Sequence, residues 1–313
     1  MNCLTKIDKK DHKDNKYGKL KPRLFHNSFI TASFSDCTTT PFVRNVMGDT
    51  VFDIRVLQAS VDPFDESQFR ILVDGKFVKY LTIDAKLYST DDMCFEPSLI
   101  SILPPLPPGD WNTGRISRNC ADGRPHFSEV TKVELPSISH LWHPLQIDHL
   151  DLHMGHKLRS NVYEASAPQF DLPIVVKFAR FPWEIPYLDS ETSAYQWIQN
   201  HQIGPQFLGH LTEEGRVIGF AMERITSYRH ATPEDLVLCQ QALSKLHRLS
   251  IKHGDINKHN FLIHDDRATL IDFDVALQCN NAKALEEEFQ GLEKELSDMS
   301  GRGGRVVEGS SEK

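Results

Sequence analysis

The chain has no Cys-x-x-Cys pair: its six cysteines, Cys3, Cys37, Cys94, Cys120, Cys239 and Cys279, are scattered, with no histidine at zinc-ligand spacing beside them. That argues against a disulfide framework or a structural zinc site and fits a reduced, intracellular protein. No stretch approaches the roughly 18 apolar residues of a membrane span. The opening MNCLTKIDKKDHKDNKYGKLK lacks the apolar core of a secretory signal, so a cytoplasmic or nuclear protein is expected. An excess of positive charge is missing as well. A net charge of -8 and a pI near 6.0 give no attraction toward a phosphate backbone or an anionic leaflet, so neither nucleic acid nor membrane is the expected partner. What remains is ordinary globular composition, 40% hydrophobic and 25% charged over 313 residues, enough for one large or two modest domains.

Residues 1–21 are polar, mixed in charge and poor in large apolar side chains, and are expected to form a disordered tail. Residues 22–103 read as a small β-rich domain. Its clearest signal is RILVDGKFVKYLTI, where Asp74-Gly75 supplies the positive φ angles of a tight hairpin turn. Residues 104–149 open with Pro104, Pro105, Pro107 and Pro108 and read as a proline-rich linker followed by an irregular strap; such a tract also offers a docking segment to a protein partner. From residue 150 to 298 strands and helices alternate. Two strands in LDLHMGHKLRSNVYEAS precede a buried strand, LPIVVKFARF, and a helix opening at Ser190 with Glu191 in its first turn. GPQFLGHLT and RVIGFAMERI flank a turn at Glu213-Glu214-Gly215, and an amphipathic helix follows with Leu236, Cys239, Leu243 and Leu246 on one stripe. A second amphipathic helix carries Leu285, Phe289, Leu292 and Leu296, a face suited to packing on the domain or to a partner, before residues 299–313 dissolve into a second disordered tail.

Phosphoryl transfer needs a nucleotide gripped by backbone and lysine, a metal held by oxygen, and a group that orients the attacking hydroxyl. HGDINKHN, residues 253–260, resembles the H-R-D-x-x-x-x-N catalytic loop of the protein-kinase-like superfamily, and LIDFD places Asp272 seventeen residues after Asp255. VVKFA resembles the strand that carries the nucleotide lysine. The resemblance implies an α+β, protein-kinase-like bilobal fold with a reduced C-lobe, preceded by the β-rich region. It implies ATP and Mg2+ as cofactors. Asp255 would be the catalytic carboxylate, Lys177 the residue on the α- and β-phosphates, Glu191 its orienting partner, and Asn260 and Asp272 the metal ligands. MGHKLRSNVYEA aligns with the glycine-rich loop, with Gly155 and Ser160 at glycine positions and Val162 over the adenine. Met222 would be the gatekeeper, with Glu223 to Ile225 offering backbone bonds to the base.

The departures are as informative. Gly254 stands where the family has arginine, a feature similar to aminoglycoside phosphotransferases and compact atypical kinases of a fungal type; it implies no control by a phosphorylated activation loop. Asp274 replaces the last glycine of D-F-G, and only 39 residues follow it. The expected activity is therefore an ATP- and magnesium-dependent phosphotransferase acting on a protein or a small hydroxyl-bearing acceptor. The alternative is a pseudokinase, a nucleotide-binding interaction module without turnover. A glycoside hydrolase would need two opposed carboxylates, normally on a sugar-binding barrel, and no (β/α) repeat surrounds these aspartates.

Overall fold

A computed structural model describes residues 43–47 and 50–300; the tails expected at 1–21 and, apart from its first two residues, at 299–313 lie outside the described residues. Two six-stranded sheets account for most of the strands. The first contains β1 (Val43–Met47), β2 (Thr50–Ser60), β3 (Ser67–Val73), β4 (Phe77–Ile83), β5 (Thr113–Arg118) and β6 (Pro125–Thr131), hydrogen-bonded in that order. The β3–β4 hairpin turns at Asp74 (φ 53°) and Gly75 (φ 64°), as the Asp-Gly pair predicts.

Its only parallel pairing among the described residues, β4 with β5, needs a crossover. That crossover carries α1 (Thr90–Cys94) and α2 (Glu96–Ile102) and then the proline tract. Here the structure corrects the expected linker. Leu103, Leu106 and Trp111 are buried in the core of this sheet, and the Trp111 indole donates to Pro107 O at 2.8 Å. The prolines thus end a crossover inside one unit, and β5 and β6 lie within the stretch read as linker and strap. After β6, Ser139 N and His140 N donate to Asp189, and the Trp142 indole donates to Thr192 O.

The second sheet has the order β7-β11-β12-β10-β9-β8. Its strands are β7 (Gln146–Asp148), β8 (His153–Arg159), β9 (Val162–Ser166), β10 (Ile174–Phe178), β11 (Phe207–Glu213) and β12 (Arg216–Glu223). The β11–β12 turn falls at Glu214 (φ 47°) and Gly215 (φ 84°). Gly219 on β12 lies against β10 so tightly that a Cβ would stand 2.2 Å from Lys177 O, so the absence of a side chain there is what lets the two strands meet. Between β10 and β11 runs α3 (Ile185–Trp197). It starts five residues before the expected Ser190, because Pro186 in its first turn presets helical φ at a position whose N–H needs no partner. Glu191 therefore sits in mid-helix, 1% exposed, rather than in a first turn.

Beyond the sheet come α4 (Leu236–Arg248), the short strands β13 (Arg229–His230), β14 (Ile251–Lys252), β15 (Phe261–His264), β16 (Arg267–Leu270) and β17 (Leu277–Gln278), and α5 (Ala282–Leu296). Cys239, Leu243 and Leu246 of α4 are buried on the expected stripe. Leu292 and Leu296 of α5 are buried in the same core, so that part of the face offered to a partner is already covered. The architecture is mixed, with several sheets and five helices among the described residues, compatible with an α+β kinase-like fold.

The first sheet packs through Leu72, Val78 and Tyr80 on Phe181, in the segment after β10. Beside that patch lies a buried ion network. Arg70, 1% exposed, donates to Glu213 through Nε at 2.7 Å, and Tyr80 Oη donates to the other Glu213 oxygen at 2.8 Å. Arg216 adds a 2.6 Å pair with Glu213.

A candidate phosphotransfer site

Lys177, on the buried strand β10, has its ammonium 2.6 Å from Glu191 Oε2 and 2.5 Å from Asp272 Oδ1. Burial opposes its charge, but the two carboxylates outweigh that cost and raise its pKa. Burial lifts Glu191 to about 7, and Lys177 offsets only part of the rise. Asp272 shows the opposite balance: burial would raise it, yet Lys177 and then Arg159 hold it below the usual carboxylate range. The other acids near in sequence are taken elsewhere, Glu184 by Arg180 and Glu164 by Arg224. Glu191 is thus the carboxylate that the fold gives to Lys177.

The second half of the site is the loop after β14. Asp255 Oδ2 accepts from Asn257 Nδ2 at 2.9 Å and from Asn260 Nδ2 at 3.2 Å, and Asn260 Nδ2 also donates to Asp255 O. A short 3-10 turn, Lys258–Asn260, capped by the Asn257 side chain, sets this arrangement. His253 couples the halves. Its Nε2 bonds Ile271 O at 3.1 Å and its Nδ1 accepts from Asp255 N at 3.3 Å. Those partners require the neutral ring protonated on Nε2, and burial lowers the His253 pKa accordingly. Phe273 N donates to Glu191 Oε1, closing the circuit from α3 to the Asp272 segment. Asp272 itself has φ 67°, a left-handed conformation that aspartate tolerates better than most side chains.

The structure thus brings Lys177, Glu191, Asp272, Asp255 and Asn260 into one hydrogen-bonded network. The expected base-binding residues lie on the same sheet or, for Ile225, just past its edge, without joining the network. Val162, 9% exposed, pairs with Lys177 across β9 and β10. Met222 is the penultimate residue of β12, and its sulfur accepts from Tyr195 Oη at 3.2 Å. The Glu223 N–H is occupied by Gln206 O, and Ile225 lies two residues beyond the end of β12. Gly155 is in mid-strand on β8, where a Cβ would stand 3.3 Å from Glu164 O; the turn itself is Ser160-Asn161.

The oxygens here suit magnesium, which is commonly held by one or two carboxylates and leaves other positions to water and phosphate. Asn260 Oδ1 is buried with no hydrogen-bond partner in the protein, an acceptor for which a cation would account. No group of three or more His, Cys, Asp or Glu poised for a metal occurs among the described residues.

Two residues of this network are not visible in the motifs. Arg159, at the end of β8, reaches Asp272 Oδ2 at 3.2 Å and His259 O at 3.3 Å. Glu288 on α5 accepts from His253 N at 3.1 Å and Gly254 N at 2.7 Å and meets His247 at 2.8 Å. Glu288 is the last of three consecutive glutamates, and of the three it alone is buried. Gly254, at φ 85° and with room for a Cβ only 2.9 Å from Val275 O, explains why no arginine stands there. Glu288→Ala should destabilise the protein by about 1.5–3 kcal/mol, because two buried N–H groups lose a charged acceptor. A denaturant midpoint within error of wild type would contradict it.

A family model for the lipopolysaccharide kinase (Kdo/WaaP) family matches residues 230–304. The match runs from β13 past α5 and takes in Asp255, Asn260 and Asp272, while Lys177 and Glu191 lie outside it. It supports a kinase-like protein, consistent with the protein-kinase-like superfamily, and a kinase-like phosphotransferase in general. No curated protein matches the chain.

Proposed function

We propose that the chain is an ATP- and magnesium-dependent phosphotransferase acting on a protein or a small hydroxyl-bearing acceptor. The observation that carries this reading is the joining of two groups, the Asp255–Asn260 pair and the Lys177–Glu191–Asp272 cluster, through His253. In a bilobal arrangement the sheet β7–β12 with α3 forms the upper lobe and α4 to α5 a reduced lower one. The nucleotide lies between them, its base at the Glu223 carbonyl and Ile225 and its flank on Val162 and Met222.

Magnesium, held by Asn260 and Asp272, supplies cationic charge to the phosphates when bound. Lys177 meets the α- and β-phosphates, kept in place by Glu191. Asp255 orients the acceptor hydroxyl and takes its proton, its own geometry fixed by Asn257 and Asn260. Gly254 makes the loop independent of activation-loop phosphorylation.

The test is direct. Magnesium-ATP should bind saturably and raise the melting temperature, and labelled ATP should transfer phosphate to itself or to extract fractions. Lys177→Met should remove a charge-assisted contact and weaken magnesium-ATP about tenfold to a hundredfold. The mutant should stay folded, since protonation of Glu191 relieves the uncompensated charge. An unchanged affinity would take Lys177 out of the site. Nucleotide binding without turnover on any acceptor would instead identify a pseudokinase.

A further inference from the structure

The hairpin β8–β9 presents a difficulty for a phosphate site. A glycine-rich loop lets backbone N–H groups approach the phosphates closely, but here one glycine, Gly155, is held in mid-strand and the turn is the two residues Ser160-Asn161. The cation placed at the tip is Arg159, immediately before that turn. Its guanidinium crosses the cleft to Asp272 Oδ2 and to the His259 carbonyl.

Asp272 does not depend on this arginine for a counter-charge, because Lys177 stands at 2.5 Å from its other oxygen. The contact with His259 is to a neutral carbonyl. Arg159 keeps 34% of its side chain exposed, whereas Lys177 keeps 8%. It is therefore the more loosely held of the two cations on Asp272.

We infer that Arg159 is a phosphate-positioning residue, which exchanges Asp272 for the terminal phosphate of the bound nucleotide and so replaces the missing glycine cradle. The planar fork of arginine suits two phosphate oxygens. When Asp272 turns to the metal, its second oxygen no longer needs the arginine, and the anion nearest to the hairpin tip is the outermost phosphate. This assignment rests on the nucleotide reading above.

Calorimetry with magnesium-ATP, magnesium-ADP and AMP on wild type, Arg159→Gln and Arg159→Lys tests it, with amide exchange of residues 153–166 followed in parallel. Arg159→Gln should melt like wild type, since the side chain lies partly in solvent. It should weaken ATP by about tenfold or more, the loss of a charge-assisted pair, while ADP and AMP change by less than about threefold. ATP should protect the hairpin in wild type and fail to do so in the Gln variant. Arg159→Lys should recover part of the ATP affinity. Wild-type binding of ATP with equal or tighter binding by Arg159→Gln would overturn the inference and make the arginine a latch on Asp272. Equal losses for ATP, ADP and AMP would overturn it too, since the contact would not be with the terminal phosphate. If wild type binds none of the three, the nucleotide reading itself fails and the inference with it.

Discussion

Asp255→Asn is expected to keep ATP affinity near wild type and to lower turnover by roughly 10² to 10⁴, the range for loss of a positioned general base. The asparagine side chain has the same shape, and its oxygen still accepts from Asn257 and Asn260, which now bond Asp255 Oδ2. The loop should hold its form and lose only the proton acceptor. Asp272→Asn must differ in kind. It removes the charge that pairs with Lys177 and with Arg159 and that would face the metal. Magnesium-dependent affinity should fall strongly, while magnesium-free nucleotide binds little differently. Paired calorimetry and turnover on the same samples read both quantities. Two variants behaving like wild type would remove both aspartates from the chemistry.

Much of this site was legible because its motifs are local. HGDINKHN fixes Asp255 and Asn260 five residues apart, where one short 3-10 turn closes the loop, and the apolar run before Lys177 marks a buried strand. The Lys177 to Glu191 pairing was readable only as one candidate among three acids. The choice depends on where α3 begins, and Pro186 sets that rather than the polar Ser190. The first sheet was read correctly at its Asp74-Gly75 hairpin and incorrectly at its far edge. β5 is short and half-exposed, and β6 shows no buried alternation, so periodicity gave no strand signal. The prolines drew attention as punctuation, whereas Leu106 and Trp111 between and after them tie the tract down. Glu288 and Arg159 lie 34 and 113 residues in sequence from Gly254 and Asp272, their respective partners. No local pattern announces pairs at such distance.

The role of the first sheet follows from what it touches. Tyr80 and Val78 pack on Phe181, which stands four residues before α3, while the segment 139–142 holds the other flank of that helix. α3 carries Glu191, so the sheet supports the site from behind. The contact is secured by Arg70 and Glu213, both almost fully buried. Arg70→Met should cost about 3–5 kcal/mol, because Glu213 is left buried with less compensation. Adding Glu213→Leu should restore part of the loss, with a coupling of about 0.5–3 kcal/mol. Acid should act on the same contact. Glu213 is held at about 2: burial opposes its charge, but Arg70 and Arg216 overcome that, so its contribution is present above its ordinary 4.5 and disappears as the pH falls through about 2. His149, 3.9 Å from Glu213, is lowered to about 4, by burial first and then by Arg70. The folded protein favours its neutral ring, and the stability it adds is intact above 6.5 and lost as the pH falls through about 4. Wild-type melting temperature should therefore decline in two stages, between pH 6.5 and 4 and again below 4.5. In Arg70→Met both stages should shrink, since each pKa loses one of its causes. Parallel acid profiles for the two proteins, offset but unchanged in slope, would show that the network does not govern this contact.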